Sequence, residues 1–273
     1  MRWSRTPTLR SSKARSFSSG LAVLATAVGA LAIPSGCSAH PLEGAQAMPV
    51  QGGSPPPAPV TIVIDPGHNR YANLQTEPIG PGSSVMKIKD GGGTSGIVTH
   101  QSEASVNLRI GLRLRTLLQQ AGGIRVVMTR TTTCCVSSGN IVRAQIANRN
   151  HAALFLRIHA DGSLDHSRAG TSTLYPVWHR GWTSDIYGRS RQAAGIMQTN
   201  LVRALHWPNL GLSPRSDITG FNWANVPAVL VEVGFLTNPG EDRALATAAT
   251  VDRAALGLRA GVLAYLRARG LRG

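Results

Sequence analysis

Short runs of apolar, β-branched residues recur along the chain and alternate with longer segments whose apolar residues have helical spacing. The first pattern predicts strands that are buried on both faces of a sheet, and the second predicts amphipathic helices. Predicted strands cover residues 60–65, 124–129, 153–159, 171–177 and 228–233, and predicted helices cover residues 102–121, 141–150, 185–205 and 251–266. This alternation predicts the α/β class, with a single domain built on a mostly parallel twisted β-sheet and helices on both faces.

The N-terminus has a different pattern. Residues 1–19 contain five cations and no acid, and an apolar run over residues 20–33 ends at Pro34. This arrangement predicts a secretory signal peptide over residues 1–39, and therefore a secreted, periplasmic or cell-wall protein. A permanent membrane anchor is one alternative, although the run is shorter than the roughly 20 residues that span a bilayer. Lipidation at Cys37 is another, because the residues before it resemble the end of a bacterial lipoprotein signal.

Residues 40–59 are rich in Pro, Gly, Ala, Gln and Ser, and they include three consecutive prolines at positions 55–57. Such a composition cannot bury enough apolar surface to offset the entropy lost on ordering, so it predicts a linker. The catalytic domain is therefore predicted to cover residues 60–270.

The chain is strongly basic, with a formal net charge of +15. Removing the five cations of the signal peptide leaves 23 Lys and Arg against 13 Asp and Glu, a charge near +10. For an exported protein, this charge favours an anionic cell-wall polymer or a phospholipid surface as partner, although a solvated basic surface explains it equally well. No aromatic-rich basic motif indicates nucleic-acid binding. Contact with a membrane is expected only if Cys37 is lipidated.

Three cysteines occur in the chain, and the signal peptide would remove Cys37. The remaining Cys134 and Cys135 are neighbours. A disulfide between adjacent residues closes a strained ring and constrains little chain entropy, so we expect it to be labile or absent.

Three polar residues stand out at or near the ends of predicted strands. His68 follows the first strand, His159 closes the third, and Glu232 lies inside the apolar run of the last one. The carboxyl ends of parallel strands share one edge of the sheet, and Glu103 at the start of helix 102–121 can reach the same edge. A carboxylate in an apolar strand is costly to bury unless it is paired or bound to a metal, which makes Glu232 a functional candidate.

Two imidazoles and one carboxylate are the ligands of an open catalytic zinc site, and a second carboxylate can serve as the general base. We therefore expect His68, Glu103 and His159 to hold one Zn²⁺ per chain, with Glu232 as the catalytic residue. Ordinary structural roles compete with these assignments. A histidine at a strand end is often a packing residue, and Glu103 is also a favourable first-turn acid.

These residues lie in segments that resemble the zinc-dependent N-acetylmuramoyl-L-alanine amidases of the type 3 class. The resemblance covers about residues 60–266. The matching segments, in family order, are residues 64–68 (Ile-Asp-Pro-Gly-His), Glu103 with Asn107 and Leu108, residues 158–161 (Ile-His-Ala-Asp) and residues 227–238. Smaller matches are Thr129 with Arg130, Arg143 with Ala147 and Asn148, and Glu241.

The resemblance implies a zinc enzyme that hydrolyses the amide between the lactyl group of N-acetylmuramic acid and L-alanine of the peptidoglycan stem peptide. It implies the ligands His68, Glu103 and His159, and Glu232 as the acid-base residue. Peptidoglycan or its muropeptide fragments are then the partner, a protein activator is left open, and a monomer is expected. A zinc peptidase that cuts within the stem peptide is the alternative, and a non-catalytic binding protein is a third reading.

The largest departure from the family is a long insertion between His68 and Glu103, over residues 71–99. Its segment 85–96 predicts either a hairpin that gates the groove or a passive surface loop. Asp65 is expected either to orient His68 or to form a turn. Arg215 and Asp217 are placed in a loop before the last strand, within possible reach of a substrate carboxylate. Five other histidines of the predicted catalytic domain, His100, His151, His166, His179 and His206, match no ligand position.

Overall fold

A computed structural model describes residues 58–271. The predicted signal peptide, Cys37 and nearly all of the predicted linker lie outside the described residues. No helix in the described part of the chain is long and apolar enough to cross a membrane.

The described chain contains eight strands and six helices. In chain order they are β1 (Val60–Pro66), β2 (Asn73–Pro78), β3 (Met86–Asp90), α1 (Glu103–Gln119), β4 (Ile124–Met128), α2 (Asn140–Arg149), β5 (Leu154–Asp161), β6 (Thr171–Pro176), α3 (Tyr187–Leu205), β7 (Asn209–Arg215), α4 (Thr219–Asn222), β8 (Ala228–Phe235), α5 (Pro239–Leu245) and α6 (Ala248–Ala268).

The central sheet has six strands in the order β4-β1-β5-β8-β6-β7. Strands β4, β1, β5 and β8 pair in parallel, which confirms the predicted α/β fold with a mostly parallel sheet. Strand β6 runs antiparallel to β8, and β7 pairs in parallel with β6. The reversal follows from the connection between β5 and β6, since residues 162–170 contain no crossover helix to return the chain for a parallel pairing.

Helices cover both faces of the sheet, but unequally. One face carries the large core, in which Ile62, Leu156 and Val231 pack against α1, α3 and α6. The other face carries a smaller core, in which Val63 and Phe155 pack near the short helices α2 and α4. Because side chains alternate between the faces of a strand, the polar residues Asp65, Arg157, His159 and Glu232 all fall on this less covered face.

The predicted helices agree with the structure except at their ends. Ser102 caps α1 by accepting a hydrogen bond from the Ser105 amide, as its sequence position predicts. Helix α6 begins at Ala248 instead of residue 251, because Thr247 accepts from the Thr250 amide and fixes an earlier start. Helix α3 begins at Tyr187, two residues later than predicted.

Strand β7 is absent from the sequence prediction, which placed Arg215 in a loop. Gly211 and Pro214 interrupt its pattern, and its residues are largely exposed. Proline is tolerated in β7 because the strand lies at the edge of the sheet, where one row of amides needs no partner. The placement of Arg215 in a loop was therefore wrong.

The insertion folds as an antiparallel hairpin of β2 and β3. Glu77 accepts hydrogen bonds from the Asn140 and Ile141 amides at the start of α2. Trp223 donates from Nε1 to the Pro78 carbonyl, and Trp182 donates to the Pro81 carbonyl. These contacts fasten the hairpin to the body. The predicted segment 85–96 supplies its second strand, β3, and a gating role for it stays a prediction.

The adjacent cysteines are exposed free thiols whose sulfur atoms lie 2.9 Å apart.

Candidate metal centre and active site

The structure brings His68, Glu103 and His159 together at the carboxyl edge of the sheet. His68 Nε2 lies 3.3 Å from Glu103 Oε1, and His159 Nδ1 lies 3.0 Å from the same oxygen. One ligand atom from each residue fits within 4.8 Å of the others, and this is the one such group among residues 58–271. None of the other five histidines belongs to it.

Three separate elements deliver these side chains. His68 follows β1, Glu103 opens α1, and His159 lies near the end of β5, which is the next strand to β1. The site therefore depends on the parallel pairing of β1 with β5 and on the crossover through α1, as ligand sites in open α/β sheets generally do.

Two neighbouring strands place Glu232 beside the group. His159 on β5 pairs in register with Glu232 on β8, so the two side chains lie next to each other on the same face of the sheet. Glu232 Oε2 is buried and has no hydrogen-bond partner in the described part of the chain. Both side chains line one cavity together with His68 and Glu103.

The donor set suits a divalent metal. Two imidazole nitrogens and one carboxylate oxygen converge, and an open catalytic zinc site uses this combination. His159 Nε2 is buried without a hydrogen-bond partner among residues 58–271, which is unusual for a polar atom whose ring has no further role. The residues therefore fit a metal centre.

Glu103 is held as a carboxylate. Burial raises its pKa, but hydrogen bonds from His159 and His68 outweigh burial and lower the pKa well below its usual range. The Thr94 amide donates to Oε2 at 3.0 Å, and Asn107 Nδ2 donates to Oε1 at 3.2 Å. A fixed, ionised carboxylate is the form that binds a metal.

Glu232 has the opposite environment. Burial is the main cause that raises its pKa well above the usual value, and the nearby negative charges of Glu103 and Asp161 raise it further. A raised pKa makes a carboxyl group a stronger proton acceptor than an ordinary glutamate, which is the property required of a catalytic base.

His68 is oriented by Asp90, which is the last residue of β3. His68 Nδ1 donates to Asp90 Oδ1 at 2.5 Å, which leaves Nε2 facing Glu103. Burial lowers the pKa of His68, but the hydrogen bonds to Asp90 and Glu103 outweigh it and raise the pKa to about 9. The backbone of His68 has φ 60°, a left-handed conformation that is uncommon for a residue with a side chain.

Asp65 does not contact His68. It is fully buried and accepts hydrogen bonds from Arg143 Nη1 at 2.5 Å, Arg157 Nε at 2.8 Å and Thr129 Oγ1 at 2.6 Å. Burial raises its pKa, but the two arginines outweigh burial and hold the pKa far below its usual value. The orienting role considered for Asp65 therefore belongs to Asp90 of the hairpin.

Two arginines hold the segment that carries His68. Arg143 donates to the carbonyls of Pro66 and His68, and Arg130 donates to the carbonyls of Pro66 and Gly67. These contacts supply hydrogen-bond donors to backbone oxygens at the end of β1 that are not paired with a neighbouring strand. They fix the turn after β1. They explain what Arg130 and Arg143 do at the positions where the sequence matched the family.

Two glycines permit the close packing of the ligands. A side chain at Gly67 would overlap the His159 ring, and one at Gly93, where φ is +74°, would approach Glu103 Oε2 to 2.6 Å. Glycine is therefore required at both positions.

Sequence reasoning missed the roles of Asp90 and Arg157. Asp90 carries a weak signal, since it is the one acid in segment 85–96 and precedes three glycines. Arg157 carries a clearer one, because an arginine inside the buried run of β5 requires a buried partner.

Comparison with known proteins agrees with this geometry. The sequence model of the family Amidase_3, described as N-acetylmuramoyl-L-alanine amidase, matches residues 62–264. The chain belongs to this family. It is therefore an amidohydrolase of a family that is generally zinc-dependent.

Two relatives of this amidase match along most of their length. It is 28% identical over 231 residues to an N-acetylmuramoyl-L-alanine amidase of Mycobacterium tuberculosis, covering 78% of this chain and 89% of the relative. It is 26% identical over 241 residues to the amidase AmiA of Escherichia coli, covering 75% of each chain.

A solved structure has the same fold. The crystal structure of the amidase Ami1 from Mycobacterium smegmatis superposes with a TM-score of 0.70 and 28% sequence identity. The match covers 77% of this chain and 98% of the other.

Proposed function

We propose that this amidase uses a zinc ion held by His68, Glu103 and His159 to hydrolyse the amide between the lactyl group of N-acetylmuramic acid and L-alanine of the stem peptide. The observation that carries the proposal is the pairing of His159 with Glu232 in one register, which puts a proton acceptor beside the metal-binding group. Zn²⁺ bound there supplies a Lewis acid that polarises the scissile carbonyl and makes water more acidic.

Glu232 acts as the general base and then as the general acid. Its Oε2 has no other partner among the described residues, so it is available to take a proton from the attacking water. The raised pKa of Glu232 makes the same carboxyl able to deliver that proton to the leaving amine of L-alanine.

The other residues of the site keep the ligands in place. Asp90 holds the Nδ1 proton of His68 and thereby keeps Nε2 as the metal-binding atom. Arg143, paired with Asp65, fixes the backbone of residues 66–68. Neither residue touches the reacting atoms in this assignment.

The proposed substrate places the protein outside the cytoplasmic membrane. The named relatives are N-acetylmuramoyl-L-alanine amidases, and the amide that this name specifies occurs in peptidoglycan. A location outside the cytoplasmic membrane is consistent with the signal peptide proposed for residues 1–39.

The test is mass spectrometry of defined muropeptides incubated with zinc-loaded and chelator-treated protein. The proposal predicts release of an intact stem peptide that begins with L-alanine, by the zinc-loaded protein alone. Cuts inside the stem peptide would instead establish the peptidase alternative, since the same groups can hydrolyse either amide. Absence of products with zinc-loaded protein would contradict both enzyme assignments.

A further inference from the structure

Two cavities meet at the metal-binding group, and their charges differ. Both are lined by His68 and His159. The first also contains the carboxylates Glu103, Asp161 and Glu232 and no lysine or arginine. The second, which we call the basic groove, is lined by five cations and two carboxylates, namely Lys87, Lys89, Arg143, Arg157, Arg215, Asp90 and Asp217.

Two of these cations bind the same residue, Asp217. Arg215 binds Asp217 with Nε and Nη2, each at 2.7 Å. Lys87 Nζ lies 2.5 Å from the Asp217 carbonyl and 3.4 Å from its Oδ2. The cluster therefore keeps one positive charge, and Arg215 Nη1 stays available to a ligand.

Neither cation is needed for buried structure. The side chains of Arg215 and Lys87 are 41% and 39% exposed, whereas Arg143 and Arg157 are buried and share the single carboxylate of Asp65. The hydrogen bonds to Asp217 raise the pKa of Arg215, and the negative charges of Glu232 and Asp161 raise it further. Arg215 thus lies within electrostatic reach of the proposed catalytic residue.

A muropeptide bound with its scissile amide at the metal centre extends from it in two directions, with the sugar on one side of the amide and the peptide on the other. The peptide carries free carboxylates, which the basic groove attracts and the acidic cavity repels. We propose that Arg215 and Lys87, joined by Asp217, form a carboxylate-binding subsite that receives the stem peptide of the substrate. This inference rests on the proposed function and sets the direction in which the substrate binds.

The stem peptide offers two carboxylates to the subsite, and synthetic peptides in which one of them is replaced by a carboxamide distinguish between them. The ligands are a stem tripeptide with free carboxylates, an analogue with a carboxamide at the second residue, and an analogue with a carboxamide at the C-terminus. Isothermal titration to the zinc-loaded protein and to its Arg215→Gln and Lys87→Gln variants measures affinity without hydrolysis. Arg113→Gln is the matched control, because Arg113 also binds an aspartate at 2.5 Å and is 40% exposed.

We expect one of the two carboxamides to weaken binding about 10-fold to 100-fold, the range of a charge-assisted hydrogen bond. Arg215→Gln should weaken binding of the free tripeptide by a similar factor and remove the preference for the acid. Lys87→Gln should have a smaller effect in the same direction, and Arg113→Gln should behave as the unmodified protein. The sensitive carboxamide identifies the carboxylate that the subsite binds.

Equal binding of acid and carboxamide forms, or no binding of any peptide, would overturn the subsite. So would an equal loss in Arg215→Gln and Arg113→Gln. These outcomes are separate from failure of the proposed function. A selective subsite in a protein that releases no stem peptide from muropeptides would leave the subsite standing and remove the amidase assignment.

Discussion

Two acidic residues on the same face of the sheet have opposite surroundings. Asp65 on β1 is completely enclosed by hydrogen-bond donors from Arg143, Arg157 and Thr129. Glu232 on β8 has a buried Oε2 without a partner in residues 58–271, and its nearest charges include other carboxylates. Strand β5 lies between the two strands and supplies both Arg157 and His159.

The different surroundings of the two residues distinguish a structural role for Asp65 from the catalytic role proposed for Glu232. The pKa of Asp65 is held far below its usual value, so this residue stays ionised and stabilises the turn that carries His68. The pKa of Glu232 is raised, so this residue is destabilised as an anion and is able to exchange a proton. The fully satisfied carboxylate serves the fold, whereas the proposed mechanism gives the unsatisfied one beside the metal-binding group its role in the reaction.

The largest effect is expected from Glu232→Gln. Removing the proton acceptor should lower the rate of muropeptide hydrolysis about 10²-fold to 10⁴-fold, the usual contribution of a general base. Zinc content should remain one ion per chain, because Glu232 is not a proposed ligand. Glu241→Gln is the control, since Glu241 is another buried glutamate that instead accepts from the Phe235 and Gly170 amides. It should retain most of the rate per folded molecule.

The second largest effect is expected on the stability of the folded protein, in the Asp65→Asn variant. This change leaves Arg143 and Arg157 buried without their counter-charge, and we expect a loss of about 3–5 kcal/mol in the free energy of unfolding. Urea denaturation measures it. A loss below about 1 kcal/mol would show that the arginines find other partners.

The pH dependence of that loss has a defined sign. The pKa of Asp65 is lower in the folded protein, so its contribution is fully present above the unfolded pKa of about 4 and disappears as the pH falls through the folded pKa. The difference between wild type and Asp65→Asn should therefore shrink in acid.

A smaller effect is expected from Asp90→Asn. A weaker acceptor for the His68 Nδ1 proton should reduce zinc affinity about 10-fold to 100-fold, as for other changes to residues that orient metal ligands. Competition with a chelator measures the affinity. Asp252→Asn is the control, because Asp252 makes a bond of the same 2.5 Å length to Arg113. Equal affinities for all three proteins would show that Asp90 does not orient His68.

The smallest effect concerns Glu232→Gln in zinc-free protein. In acid, where Glu232 is protonated in both the folded and the unfolded state, the free energy of unfolding should change by about 1 kcal/mol or less, since no stabilising partner is lost. Because the pKa of Glu232 is higher in the folded state, the contribution of Glu232 to wild-type stability is fully present below about pH 4.3 and is lost as the pH rises through the folded pKa. The variant should therefore gain relative to wild type as the pH rises, the reverse of Asp65→Asn. Thermal unfolding of both proteins at several pH values measures this difference. If Glu232 were a structural anion, the variant would instead lose stability relative to wild type as the pH rises.

The sequence predicts the parts of this molecule that depend on local pattern. Strands β1, β5 and β8 were predicted from apolar runs, of which the first is followed by His68, the second ends at His159 and the third contains Glu232. Parallel pairing then brings those ends together, so the convergence at one edge follows from the topology. Ser102 likewise marked the start of α1.

The parts that escaped prediction depend on contacts between distant segments. Asp90 gains its partner only when the hairpin packs beside His68, and nothing in its local sequence specifies that contact. The direction of β6 depends on the lack of a crossover helix after β5, and β7 is stabilised by pairing at the edge despite Pro214. Asp65 was misjudged because its proximity to His68 in sequence suggested a contact that Arg143 and Arg157 prevent.

The central claim is that Glu232 serves the reaction and not the fold. The most direct measurement determines zinc content, unfolding free energy and stem-peptide release on the same preparations of wild type and Glu232→Gln. We predict one zinc per chain in both proteins, similar stabilities, and a rate at least about 10²-fold lower in the variant. A zinc-loaded, stable variant that releases the stem peptide at close to the wild-type rate would contradict the claim.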